Sequence, residues 1–150
     1  MKLTNGFDIS SSALTAQRLR MDVIASNMAN ADTTRGKLVN GKWEPYQRKI
    51  VSFETKQNAS FAQVLSDTMS GKAVGEGVRV SKITEDTAPF KQVYNPTHPD
   101  ADENGFVLLP NVDMLKEMVD MMSATRSYEA NVTALNASKA MITKALEIGK

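Results

Sequence analysis

The fold turns on residues 111–150, NVDMLKEMVDMMSATRSYEANVTALNASKAMITKALEIGK. Within it, Met114, Met118, Met121, Thr125, Tyr128, Val132, Leu135, Lys139, Ile142 and Leu146 follow one another at alternating steps of four and three. Such steps keep side chains on one side of an α-helix, and a repeat held this long predicts a coiled-coil seam. Asn111, after Pro110, reads as the N-cap, and Asp113 falls in the first turn, where the helix dipole favours an acid. Gly149 stands where a C-cap belongs. A helix of about 37 residues would be about 55 Å long. A second apolar line, Val112, Leu115, Val119 and Met122, accompanies only its first half; further on the same line reads Glu129, Thr133, Asn136 and Ala140. The start of the helix is therefore expected to be the more deeply enclosed part. Met114, Met118, Met121, Met122 and Met141 lie here too, and flexible thioethers suit a plain core or neighbours that are not all alike.

The opposite end of the chain carries a shorter stripe. Leu14, Gln17, Met21, Ile24 and Met28 recur at steps of three and four, with Ala13, Ala16 and Val23 beside them. They predict a helix over Asp8–Ala29, about 33 Å long, with Asp8 as N-cap and the small polar run Asn30–Thr34 as its end. Between the two helices the composition changes: all 5 prolines and most of the 8 glycines lie in 35–110. Asn40-Gly41 is a hairpin dipeptide separating Lys37–Val39 from Lys42-Trp43. Val78–Val80 and Phe90–Tyr94 alternate as half-buried strands do. Gly71–Gly77 reads as a loop, and Phe61, Val64, Leu65 and Met69 as one short helix.

The expected class is α+β, with long N- and C-terminal amphipathic helices packed as a coiled coil and flanking a small β-rich insert. The corresponding segments are 1–34, 35–110 and 111–150. The longer helix outruns the shorter by about 15 residues. Apolar surface left over in this way points to assembly with another chain. Gln17 and Lys139 are polar at seam positions, where such groups fix register or mark a solvent-facing stretch.

Composition narrows the function. The chain has 150 residues, 41% of them apolar, with Lys plus Arg 18 against Asp plus Glu 17 and a net charge of +1. A protein that binds nucleic acid by neutralising phosphates is more basic than this. Cysteine is absent and His98 is the single histidine. Disulfides, thiolate metal sites, cysteine nucleophiles and histidine clusters are thereby excluded. No apolar run approaches the ~18 residues of a membrane span. Met1–Gly6 lacks the apolar stretch of a secretory signal. The expectation is a cytoplasmic protein, or one that leaves the cell by a route that reads no standard signal.

Four patterns hint at chemistry, and each has a plainer reading. Asp100, Asp102, Asn104 and Gly105 match the start of an EF-hand loop, but position twelve is Asn111, Pro110 intrudes and no incoming helix precedes them. A polar turn is the simpler account. His98, between Thr97 and Pro99, is an ordinary loop histidine. Arg35, Lys37, Lys42, Arg48 and Lys49, interleaved with Trp43 and Tyr46, resemble a base-stacking strip, yet alternating basic residues equally suit the wet face of a hairpin. Ser10-Ser11-Ser12 lacks a nucleophile elbow and an oxyanion-hole motif. No catalytic, cofactor-binding or metal-binding residues are assigned, and no enzyme is expected.

A family resemblance adds what periodicity does not. Ser26-Asn27-Met28-Ala29-Asn30-Ala31-Asp32-Thr33 resembles the S-N-x-A-N-x-x-T signature that follows the first helix of bacterial flagellar rod and hook proteins. Phe7–Ser10 with Ala13–Arg18, Asn95–Asp102 running through Gly105–Val107 to Pro110–Asp113, and Met122–Asn131 resemble one proximal-rod member closely. The resemblance implies a non-enzymatic structural subunit that leaves through the flagellar type III export apparatus without a cleavable signal and resides in the basal-body rod, in the periplasmic or cell-wall space. It implies helical polymerisation with copies of itself and other rod subunits, terminal helices forming an inner tube around a channel, and a β-rich part making outer contacts while the rod transmits torque. Ser26, Asn27, Ala29, Asn30 and Thr33 are the motif residues. The asparagines are candidates for capping bonds that fix the turn into the insert. Leu14, Met21, Ile24, Met28, Met114, Met118, Met121, Tyr128, Val132, Leu135, Ile142 and Leu146 are the expected assembly interface. The helical ends are expected to order on assembly. The rival readings are a cytoplasmic coiled-coil adaptor, marked by a discrete dimer, and another axial rod protein.

Overall fold

A computed structural model describes residues 5–39, 41–56, 65 and 77–148. Helix α1 spans Asn5–Ala29, starting earlier than the sequence predicts. Asp8 thus lies in the first turn, not at the cap, and still faces the positive end of the dipole. The helix stops at Asn30, whose backbone N–H is shared between the Ser26 and Asn27 carbonyls at 3.2 Å each. The Asn30 side chain donates to the same Ser26 carbonyl, at 2.8 Å, giving that oxygen a second bond that ties down the end of the helix.

Strands β1 (Lys37–Val39) and β2 (Lys42–Glu44) form the expected hairpin, with Leu38 opposite Trp43 and Gly41 at φ 80 in the turn. Asn40 lies outside the described residues. Strands β3 (Lys49–Thr55) and β4 (Val78–Glu85) pair next, antiparallel, since Lys56 N–H reaches Gly77 C=O at 3.0 Å and Asp86 N–H reaches Arg48 C=O at 2.7 Å. The sequence reading missed β3 and stopped β4 at Val80. Strands β5 (Lys91–Tyr94) and β6 (Phe106–Leu109) close a second hairpin, with the Tyr94 and Phe106 rings edge to face at 5.4 Å. The acids that mimic an EF-hand sit in its connection as a turn, where Gly105 N–H meets the Asp102 carbonyl at 2.8 Å. The expected short helix through Phe61, Val64 and Met69 lies outside the described residues, as does the loop from Gly71 as far as Glu76. Leu65 is described, helical and exposed.

Helix α2 spans Met114–Ile148. Its N-cap is Asp113, not Asn111: Asp113 Oδ1 accepts from the Leu115 N–H at 3.0 Å. A carboxylate only accepts, as capping requires. Asn111 both donates and accepts and is used elsewhere, as described below. Gly149 lies outside the described residues.

Contacts divide the chain into two units, and each helix contributes to both. One comprises Met1–Leu19, Phe53–Ser81 and Thr125–Lys150. There Ala16 and Ser10 of α1 are buried. Ser12 Oγ donates to the Ile9 carbonyl at 2.7 Å and accepts from the Val78 N–H at 3.1 Å. Gly77, at φ 103, precedes Val78, and a Cβ there would collide with Ser12 Oγ. Backbone conformation and space both demand glycine. The other unit comprises Arg20–Ser52 and Lys82–Ala124, and its core is Val23, Ile24, Val107, Val112 and Ala124.

The burial of α2 corrects the expected seam. Met121, Tyr128, Val132, Leu135 and Ile142 are half-buried, as the repeat predicts. The other seam positions, Met114, Met118, Thr125, Lys139 and Leu146, are exposed, while Glu117, Ala124, Asn131 and Ser138 are buried or half-buried. The covered line lies one residue earlier, because small side chains let a neighbour approach closely and the polar ones find partners. The start of α2 is the more enclosed end, as expected, with Val112, Glu117 and Ala124 buried and no buried residue beyond them among the described ones, but past Val112 its second apolar line is not what is covered. Leu115 is 76% exposed, Val119 59% and Met122 60%, with Met114 and Met118 nearly half exposed.

Candidate functional site: a buried polar hub between the helices

Asn27 sits on the last turn of α1 with 1% of its surface exposed, so every polar atom of its amide must be paired inside the protein. Its Oδ1 accepts from the Lys49 N–H at 2.9 Å, and its Nδ2 donates to the Lys49 carbonyl at 2.9 Å. The side chain thus imitates a neighbouring strand and pins the start of β3 to α1. Oδ1 also accepts from Tyr46 Oη at 3.0 Å, and Nδ2 donates to Glu117 Oε2 at 3.1 Å. Two donors and two acceptors are all used, an arrangement open to asparagine and closed to aspartate or leucine.

Glu117, in the first turn of α2, has no exposed surface. Its second oxygen accepts from Arg48 Nε at 2.6 Å. Arg48 reaches Asp86 and Asp120 as well, at 3.4 Å each. Burial opposes the Arg48 charge, but Glu117 and then Asp86 outweigh it and hold the guanidinium above its ordinary pKa. The backbone around Arg48 is fixed in turn. Its N–H donates to Asn111 Oδ1 at 2.8 Å, while Asn111 Nδ2 donates to the carbonyls of Ala88 at 3.1 Å and Asp86 at 3.3 Å. Arg20 of α1 meets Asp120 of α2 at 3.4 Å. Lys91 Nζ on β5 donates to the Val112 carbonyl at 2.7 Å, just before α2.

A smaller clamp lies in the same unit. Arg35 pairs with Asp100 at 2.6 Å, and Thr34 donates to the other Asp100 oxygen at 2.8 Å. These bonds, Arg35 first, pull the Asp100 carboxyl below the ordinary carboxylate range. Asp100 therefore serves as an anchor for the segment after α1. The basic and aromatic strip is likewise dispersed: Arg35 goes to Asp100, Arg48 to Glu117, and Tyr46 to Asn27. Among the described residues no cluster of acids and His98 could hold a metal ion, and no helix is long and apolar enough to cross a membrane.

The motif residues converge on this hub or its edge. Ser26 Oγ lies 3.4 Å from Tyr46 Oη, and Thr33 Oγ donates to Asn30 Oδ1 at 3.3 Å. Ala29 is exposed at the last position of α1. Of the residues expected at an assembly interface, Leu14, Met21 and Met28 are half-buried and Ile24 is buried; Met121, Tyr128, Val132, Leu135 and Ile142 are half-buried; Met114, Met118 and Leu146 are exposed. Sequence reasoning missed Asp86, Glu117 and Asp120, and singled out Tyr46 and Arg48 only as part of the basic and aromatic strip. One signal was available: Glu117 heads the line Glu117, Ala124, Asn131, Ser138 at steps of seven.

Comparisons with known proteins agree with the motif. Residues 7–36 match the family described as "Flagella basal body rod protein", and residues 103–148 match "Flagellar basal body rod FlgEFG protein C-terminal". The flagellar basal-body rod protein FlgC of Bacillus subtilis is 60% identical, with 100% of both chains covered. The chain belongs to the FlgC family of flagellar basal-body rod proteins. FlgC of Salmonella typhimurium is 45% identical over 100% of both chains, and FlgC of Borreliella burgdorferi 42% identical over 99% of this chain and 98% of its own. As a FlgC-family protein the chain is a structural subunit of the basal-body rod. Both matched regions contain hub residues, Asn27 in the first and Asn111, Glu117 and Asp120 in the second.

Proposed function

We propose that this rod subunit polymerises helically, with segments 1–34 and 111–150 coiled together as the inner tube around the export channel and 35–110 as its outer, β-rich part. The subunit passes through the type III export apparatus, joins copies of itself and other rod proteins in the periplasmic or cell-wall space, and carries torque. The hub's task is to hold the insert against both helices, so that rotation is transmitted through bonded groups.

One observation carries the reading. On the first turns of α2 the polar Glu117 is turned fully inward while Leu115, Met118, Val119 and Met122 face out. An isolated globular helix does the reverse. Apolar side chains clustered over adjacent turns on the outside are surface for a partner. Further along, Val132 and Leu146 continue the line of Met118. The test is Leu146→Asp, at a position 71% exposed in the single chain. Folding stability should change by less than about 0.5 kcal/mol. Export should continue, while the variant should be missing from purified basal bodies and the cells should not swim. Normal swimming would overturn the proposal, as would a wild-type chain that forms a discrete dimer and stays out of basal bodies.

A further inference from the structure

Two surfaces of the unit formed by Arg20–Ser52 and Lys82–Ala124 lack an occupant among the described residues. The first is the outward face of α2, with Leu115, Met118, Val119 and Met122 and the exposed Lys116 beside them. The second is a cleft of about 440 Å³ between α1 and the end of β4, lined by Val23 and Ile83 and by the acids Asp22 and Glu85. Neither acid makes an ion pair among the described residues, and neither does Lys116. Lys49 also borders the cleft, but its ammonium lies over the Tyr46 ring, 5.7 Å from the centroid.

The two surfaces face different ways. Arg20 and Asn27 are the α1 residues that meet α2, through Asp120 and Glu117. Asp22 and Ser26 lie on another flank of α1, with Val23 at its edge nearest Asn27, so the cleft sits beside the α1 face that meets α2 and not on it. The apolar stripe in turn lies on the side of α2 away from Glu117. A copy does not fill its own cleft with its own stripe. Each side suits the other in chemistry: apolar residues on both, and, among the described residues, a cation without an ion pair on one and two carboxylates without one on the other.

We infer that the Leu115–Met122 stripe of one copy seats in the Asp22/Val23/Ile83/Glu85 cleft of a second copy, with Lys116 against Asp22. Two unlike patches joined head to tail leave one of each free on every dimer, which is the geometry of an open-ended polymer. The inference rests on the rod-subunit reading for its setting and adds the pairing of surfaces. Lys116 supplies a further argument. It lies in the first turn of α2, where the helix dipole disfavours a cation. Its charge is unhelpful to the single chain and useful to a contact with acids.

The chain has no cysteine, so cross-links can be placed at will. Val119→Cys and Ile83→Cys are introduced into two differently tagged full-length copies, expressed together in a flagellated host lacking its own copy, and purified basal bodies are oxidised. Both positions are substantially exposed, so neither change threatens folding. The expected result is a reducible dimer joining the two tags, absent when Ile83→Cys is replaced by Glu103→Cys in the exposed β5–β6 connection. In the same host, Lys116→Glu should reduce swimming, and Asp22→Lys added to it should restore swimming, because each copy carries both surfaces. Basal bodies that contain both copies but yield no joined product would overturn the inference and leave the rod-subunit reading standing. So would a product linking Val119→Cys to itself or to a different rod protein, or a double charge swap no better than the single one. Absence of both copies from basal bodies would overturn the rod-subunit reading itself, and the pairing with it.

Discussion

Glu117 shows why one fully covered carboxylate can decide how two helices and an insert meet. Removing a carboxylate from water costs several kcal/mol, which its partners must offset. Here the partners are Arg48 Nε at 2.6 Å and Asn27 Nδ2 at 3.1 Å. Removing one member strands the other: Glu117→Ala leaves Arg48, itself only 13% exposed, with the more distant Asp86 and Asp120. The expected loss in a urea or thermal unfolding measurement is about 3–5 kcal/mol. The double variant Arg48→Met/Glu117→Leu removes both charges together and should lose less than the sum of the singles by more than about 1 kcal/mol. Additive losses would show that the pair is not coupled and that the hub is held by Asn27 alone. The double variant should fold and still assemble poorly, because Asn27 keeps its bonds to Lys49 but nothing ties it to α2.

At the scale of the elements, the start of α2 separates two asparagine and aspartate roles that the sequence blurs. Asn111 follows Pro110 and looks like a cap, yet its amide bridges Arg48, Asp86 and Ala88 across strands. Asp113 caps instead, and Asp113→Ala should cost about 1 kcal/mol and unwind only the first turn. Asn111→Ala should loosen the Arg48 segment and leave the first turn of α2 intact; amide chemical shifts at Leu115 and Lys116 distinguish the two, and equal shifts in both variants would contradict the assignment. The same helix marks how far sequence periodicity carries. Met121, Tyr128, Leu135 and Ile142 were legible, because apolarity at steps of seven reveals a covered line. Ala124, Asn131 and Ser138 were not, since a small or polar side chain carries no hydrophobic signal even where it is the one that permits close approach. The β1–β2 hairpin was legible from Asn40-Gly41, whereas β3 was invisible because Lys49–Thr55 is held by partners far away in sequence, Asn27 and β4. Asn27 itself was legible only through the family motif, and its strand-like grip on Lys49 not at all.

For the whole molecule, the distribution of covered surface fixes where a single copy is firm and where it depends on neighbours. The hub joins α1, β3 and the start of α2 through the buried Asn27 and Glu117 and the half-buried Arg48, and the exposed Lys91 ties β5 to the approach of α2. From Lys139 to Glu147, by contrast, Ile142 alone is partly covered, and Lys144 pairs with Glu147 on the open surface at 2.6 Å. Surface pairs of that kind add little, and a helical stretch this short is marginal without packing. Local opening follows buried contact, so amide exchange in the dilute chain should be slow at 117–124 and faster by at least about 100-fold at 140–147. In basal bodies the second segment should become as slow as the first if, as proposed, neighbouring subunits cover what one copy leaves open. Uniform slow exchange along α2 in the dilute chain would mean that the single copy already satisfies its own helices. The outward apolar residues would then have no energetic reason to recruit a partner, and assembly would have to be driven by the β-rich part instead.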